Sequence, residues 1–173
     1  MTSSPDPIQD ILGPKGLLAK TLRDFEIRPS QLQMARLIQE AIDKRTPALI
    51  EAGTGTGKTL GYLVPALLSE KKAIISTGTK NLQEQIFFKD IPLLSTAIGN
   101  KIDAVLMKGR KNYLCLYRYH HYFSHLSFLK TEQNSVRESI EKWLKKTKFA
   151  DRADYEEMNV SRLAALCIML MGW

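Results

Sequence analysis

Cysteine is scarce in this chain, with two among 173 residues. Two thiols cannot build a disulfide framework, so a reducing cytosol is the expected compartment. No apolar run reaches the ~18 residues that a bilayer-spanning helix needs. The first residues, Met1-Thr2-Ser3-Ser4-Pro5-Asp6, carry neither a basic region nor an apolar stretch. That argues against a secretory leader. There is no internal repeat and no low-complexity segment.

Acidic residues are in short supply over one stretch. Residues 101–150 carry 11 Lys and Arg against 4 Asp and Glu. Residues 1–100 carry 12 against 10, and residues 151–173 carry 2 against 4. The net charge of +7 therefore has its source in one block. Clustered positive charge fits a polyanion partner, and it equally fits a solvated helix face.

The apolar content, 44%, is enough for a real core. The length fits one domain, or one domain and a piece of another. Residues 1–24 read as a loose, partly helical leader broken at Gly13-Pro14. Ser30 and Gln33 have capping-box spacing ahead of a stripe of Leu32, Ala35, Leu37, Ile38, Ala41 and Ile42. Residues 47–51, 72–76 and 102–107 read as strands. Residues 58–69 and 81–90 read as helices, with Pro65 a kink or early end and Pro92 closing the second. Such alternation predicts parallel βαβ units. After residue 110 the strand pattern stops, and helices are predicted over 113–129 and 135–147.

The most informative run is Ala52-Gly53-Thr54-Gly55-Thr56-Gly57-Lys58-Thr59. A predicted strand precedes it and a predicted helix follows. That is the context of a phosphate-binding loop. Glycines let the backbone curl so that several N–H groups converge on one anion. The helix N-terminus adds its positive dipole end. Lys58 would reach the β- and γ-phosphates, and the Thr59 hydroxyl would ligate Mg²⁺. The strict pattern opens with glycine; here the first position is Ala52. Elsewhere the chemistry is more open. Thr77, Gly78 and Thr79 fit either a phosphodiester-holding loop or a polar turn with Thr79 as N-cap. Lys108, Arg110 and Lys111 fit phosphate contacts or solvated positions. Cys115 fits a buried helical cysteine or a metal thiolate. His121 and His125 are four apart, but without a carboxylate or second cysteine a zinc site is weak, and helix packing is the plainer reading. The aromatic run from Tyr113 could also stack single-stranded bases.

In order along the chain, these motifs resemble superfamily 2 helicases. Phe25 to Met34 resembles the adenine-reading segment, with Gln31 as its amide. Ala52 to Thr59 resembles motif I, alanine included. Ile75 to Gln85 resembles motif Ia, with Thr77, Thr79 and Asn81 on nucleic acid. Lys108-Gly109-Arg110-Lys111-Asn112-Tyr113-Leu114-Cys115 is similar to the segment bearing the first iron–sulfur cysteine in the XPD-related branch. The whole resembles the bacterial DinG-type helicases from about residue 25 to 115, and more loosely to about 157.

The resemblance implies an α/β fold: a RecA-like P-loop NTPase with a parallel sheet and flanking helices over 25–110. The start of a helical iron–sulfur-type insert would follow over 111–157, then an atypical apolar tail over 158–173. It implies ATP and Mg²⁺ at Gln31, Gly53, Thr54, Gly55, Thr56, Gly57, Lys58 and Thr59, with Lys58 and Thr59 catalytic. It implies single-stranded DNA at Thr77, Thr79, Asn81, Lys108 and Arg110, and a nucleoid-associated location. It implies a [4Fe–4S] cluster with Cys115 as one thiolate. Such a cluster takes four cysteines, and only Cys167 joins Cys115 here. No Asp-Glu-Ala-His-type segment and no arginine-finger motif of a second motor domain are found. The expectation is thus the front of a larger helicase, incomplete for catalysis. Two rivals remain: a small P-loop kinase and a non-catalytic nucleotide- or DNA-binding module.

Overall fold

Asp6 opens the first helix because its carboxylate accepts from the backbone N–H of Ile8 and of Gln9. That satisfies two donors a helix start leaves orphaned. The computed structural model describes residues 6–124 and 131–155. Contacts divide the chain into two units, Met1–Leu106 and Met107–Trp173.

In the first unit, α1 (Pro7–Leu12) and α2 (Leu17–Thr21) are short. They are not a loose leader. Ile8, Ile11, Leu12 and Leu18 are buried in one core with Ala35, Leu63, Val64, Ile86 and Leu94. α3 (Pro29–Lys44) begins one residue before the expected cap. Pro29 stands in its first turn, where a missing N–H costs nothing, and Ser30 does not cap it. α4 (Lys58–Leu68) packs along α3. Gly61 permits the approach: a Cβ there would lie 3.3 Å from Met34 Sδ. Pro65 sits inside α4 rather than ending it.

The helix expected over 81–90 runs further. α5 (Lys80–Gln85) passes through a π-helical turn, Ile86–Asp90, into α6 (Ile91–Ile98). Pro92 lies in the first turn of α6 and closes nothing. The wider turn absorbs it: the N–H of Ile91 reaches back five residues to the Ile86 carbonyl.

The parallel sheet is the expectation that the structure does not reproduce. Residues 47–51, 72–76 and 102–107 have no strand assignment, and no sheet forms among the described residues. Leu49 is fully exposed and Ile74 is 98% exposed; Val105 and Met107 are exposed too. The physical reason is that a strand is held by its neighbours' ladders and facing side chains. These segments keep the apolar composition of interior strands without such partners.

The second unit has its own core of Leu114, Tyr119, Phe123, Ile140, Trp143 and Tyr155. α7 (Leu116–Ser124) lies within the helix expected over 113–129, and α8 (Thr131–Leu144) opens before Ser135 and ends before residue 147. A single antiparallel bridge joins Tyr113 to Asp151. His125, Cys167 and the tail from Ser161 to Trp173 lie outside the described residues.

Candidate nucleotide-binding site

The loop from Ala52 to Gly57 leads into α4 with its backbone turned twice into the left-handed region. Gly55 has φ 79° and Gly57 has φ 75°. A side chain is strained in that region, so glycine is required at both places. Gly57 is also the N-cap of α4. The first-turn N–H groups of that helix therefore face the open side of the loop.

Four carbonyls of the loop are held by side-chain cations or amides. Lys58 Nζ donates to the carbonyls of Ala52 at 2.8 Å and Gly53 at 2.7 Å. Arg28 Nη1 donates to Gly55 O at 2.7 Å. Gln31 Nε2 donates to Gly57 O at 2.8 Å. Thr56 Oγ1 adds a bond to Gly53 O at 3.0 Å. Carbonyls held this way leave the amide hydrogens as the groups available to an anion. Burial drives Tyr62 above the usual tyrosine range, only partly offset by the Thr59 hydroxyl near it. Gly53, Thr54, Gly55, Thr56, Gly57, Lys58 and Thr59 thus form one continuous loop and helix start, with Gln31 brought to it from α3. Gln31 is 3% exposed. Its amide donor meets the loop, a contact that its spacing alone did not reveal. Arg28 was missed by sequence reasoning; its signal was its place three residues before Gln31, directly preceding Pro29.

Thr79 caps α5, accepting from the Leu82 N–H at 3.3 Å, and Thr77 Oγ1 donates to Thr79 O at 3.1 Å. Both, like Asn81, stand at the opening of that helix, and Asn81 is exposed. In the second unit Arg110 is exposed. Lys108 is not: its ammonium lies 2.5 Å from Asp151 Oδ2, with the two side chains 3% and 10% exposed. The nucleic-acid role expected for Lys108 is corrected here. A buried lysine needs a paired charge, and Asp151 supplies it. Asp151 also accepts from the Ala153 N–H, and the Tyr113 hydroxyl accepts from the Lys108 N–H.

Cys115 is half-buried and free. No group of three or more His, Cys, Asp or Glu side chains among the described residues is placed to hold a metal ion. This chain's own thiols number two, so they do not fit a four-thiolate cluster. No helix of the described residues is long and apolar enough to cross a membrane.

A glycine-lined loop on a helix N-terminus, with lysine and threonine at its end, defines a P-loop nucleotide site. Residues 28–149 match the DEAD/DEAH box helicase family. The chain belongs to that family, whose domain has a P-loop NTPase fold. It is 50% identical over 109 residues to the ATP-dependent DNA helicase YoaA of Escherichia coli, covering 63% of this chain and 17% of that protein. It is 48% identical over 111 residues to YoaA of Haemophilus influenzae, with shares of 64% and 17%. It is 40% identical over 111 residues to the 3'-5' exonuclease DinG of Bacillus subtilis, with shares of 62% and 12%. The chain therefore spans less than a fifth of the length of these relatives.

Proposed function

We propose that this chain is the ATP-binding N-terminal portion of an ATP-dependent DNA helicase that couples hydrolysis to movement on single-stranded DNA. The observation that carries the reading is the loop itself: two left-handed glycines curl the backbone just ahead of the α4 N-terminus, and Lys58 opens that helix. The naming of the YoaA relatives as ATP-dependent DNA helicases supports the rest. On this reading Lys58 leaves the carbonyls of Ala52 and Gly53 and takes up the β- and γ-phosphates. The backbone N–H groups from Gly53 to Thr59 bind the same phosphates. The Thr59 hydroxyl would hold Mg²⁺, which would neutralise charge on the phosphates. Gln31 stays at the rim, where its free oxygen meets the base. The extended segments 47–51, 72–76 and 102–107 become strands of a RecA-like parallel sheet. Thr77, Thr79, Asn81 and Arg110 contact the DNA backbone, and the work is done in the cytoplasm at the nucleoid.

Calorimetric titration with Mg-ATP tests the site. Lys58→Ala should weaken binding by about a hundredfold, because a point charge on two phosphates is lost. Equal affinity of wild type and variant would remove the site. Titration with a single-stranded oligonucleotide tests the partner. Affinity should fall steeply between low and physiological salt as counterions are released. A flat salt response would remove the DNA reading. The family match favours the helicase reading over a small P-loop kinase.

A further inference from the structure

We propose that Arg28 is a positioning residue of the phosphate loop, acting on the loop backbone rather than on the base. This rests on the nucleotide-site reading above. Three observations carry it. Arg28 stands at the N-cap of α3 with an extended backbone, so its side chain leaves the helix end rather than packing along it. Its Nη1 donates to Gly55 O at 2.7 Å, across 27 residues of sequence. Its Nε and Nη2 are engaged by Glu26 Oε2 at 3.3 and 3.0 Å. Guanidinium donors have fixed directions, so the carboxylate on one edge orients the remaining donor at the carbonyl.

The consequence lies in the peptide unit. Gly55 is one of the two left-handed residues of the loop, and an added Cβ there would meet nothing within 4 Å. The side of Gly55 where a Cβ would stand is open, and Arg28 holds its carbonyl. A peptide whose carbonyl is pinned to Arg28 presents its N–H on the opposite side, toward the space that a phosphate would fill. Gln31 does the same for the carbonyl of Gly57 two residues on. The loop is thus preorganised from α3, and binding need not order it.

The test compares ligands with and without a base. Wild type, Arg28→Ala, Arg28→Lys and Glu26→Ala are titrated with Mg-ATP and with inorganic tripolyphosphate. Arg28→Ala should lose about three- to tenfold in affinity for both ligands by the same factor, at the lower end of a charge-assisted bond because the group is half exposed. Arg28→Lys should recover part of the loss, and Glu26→Ala should show a smaller loss of the same pattern. A loss confined to ATP would assign Arg28 to the base and overturn the proposal. Unchanged affinity for both ligands would overturn it as well. Failure of the wild-type chain to bind either ligand would instead remove the nucleotide site, and the positioning role with it. A ligand-free readout separates misfolding from misplacement. With ¹⁵N-labelled glycine, the order parameters of Gly55 and Gly57 should fall in Arg28→Ala while that of Gly61, inside α4, holds. A fall at Gly61 equal to that at Gly55 would show general loosening and overturn the specific role.

Discussion

Lys108 shows how far one residue's surroundings can depart from its type. Lysine is among the residues least often buried, yet this one is paired with Asp151 inside the second unit. Removing one member leaves the other charge buried alone, which costs about 3–5 kcal/mol. Asp151→Asn should therefore lower the stability of the second unit by roughly that amount, read as a loss of Trp143 fluorescence change at lower urea. Replacing both with Met and Leu should cost far less. Asp90 offers a milder test. Burial raises its carboxyl above the usual range, against the lowering effects of Gln85 and Lys89. A raised carboxyl favours the protonated folded state. Its stabilising share is complete below the ordinary aspartate range and is lost as pH rises through its raised value. Asp90→Asn should remove that dependence and raise the melting temperature at neutral pH more than at acid pH. Equal shifts at both pH values would contradict the assignment.

At the scale of elements, the loop and α4 were legible because their chemistry is local. Glycine, lysine and threonine at fixed spacing dictate a backbone, and Gly55 and Gly57 take the left-handed conformation it needs. The two glycines differ in what surrounds them. An alanine at 55 meets open space and suffers only the left-handed strain, about 1–2 kcal/mol. An alanine at 57 would also place its Cβ 2.1 Å from Gln31 Nε2. Gly57→Ala should thus cost more stability than Gly55→Ala in thermal melts, and it should release Gln31 from the loop. What sequence could not show was tertiary. The place of Arg28 before Pro29 and Gln31 marks the segment but not the carbonyl 27 residues away that it reaches. Ile8, Ile11 and Leu12 looked like leader residues because their helix is only one turn and a half long. Packing against α3 and α4, not propensity, fixes it. The strand expectations differ in the opposite sense: no sheet is seen among the described residues. Composition named the right kind of segment, but ladders depend on partners that composition cannot supply.

The whole molecule carries the mark of those segments. Leu49, Ile74, Val105 and Met107 stand exposed on segments without secondary structure, a surface that a stable monomer seldom shows. The 173-residue chain should bind a hydrophobic dye strongly, and amides of 47–51 and 72–76 should exchange within seconds while those of Leu63 and Val64 are protected. Slow exchange in 47–51 would mean that a ladder forms in solution. Hydrolysis asks for more than the loop provides: a carboxylate to orient water and a cation at the developing charge. The sequence shows neither an Asp-Glu-Ala-His-type segment nor an arginine-finger motif to supply them. The isolated chain should therefore bind ATP without turnover that rises on adding single-stranded DNA, and an anaerobic preparation should be colourless. A brown sample, or stimulated phosphate release in a coupled assay, would contradict both statements.

The π turn at Ile86–Asp90 has a consequence for the gene. Leu82 and Ile86 point to the core at ordinary helical spacing, but the next core contact, Ile91, comes five residues on. The turn behaves as a helix that has accepted one extra codon and kept its reading phase on either side. A single-codon deletion is normally ruinous within a helix, since every later side chain rotates by about 100°. Here deletion of Phe88, which is exposed, would restore ordinary spacing and leave Ile91, Leu94 and Ile98 facing inward, while placing Pro92 in a regular helix interior at a cost of about 3 kcal/mol. The core phase would survive that deletion, whereas the same deletion in α3 or α4 would turn the core side of the helix to water.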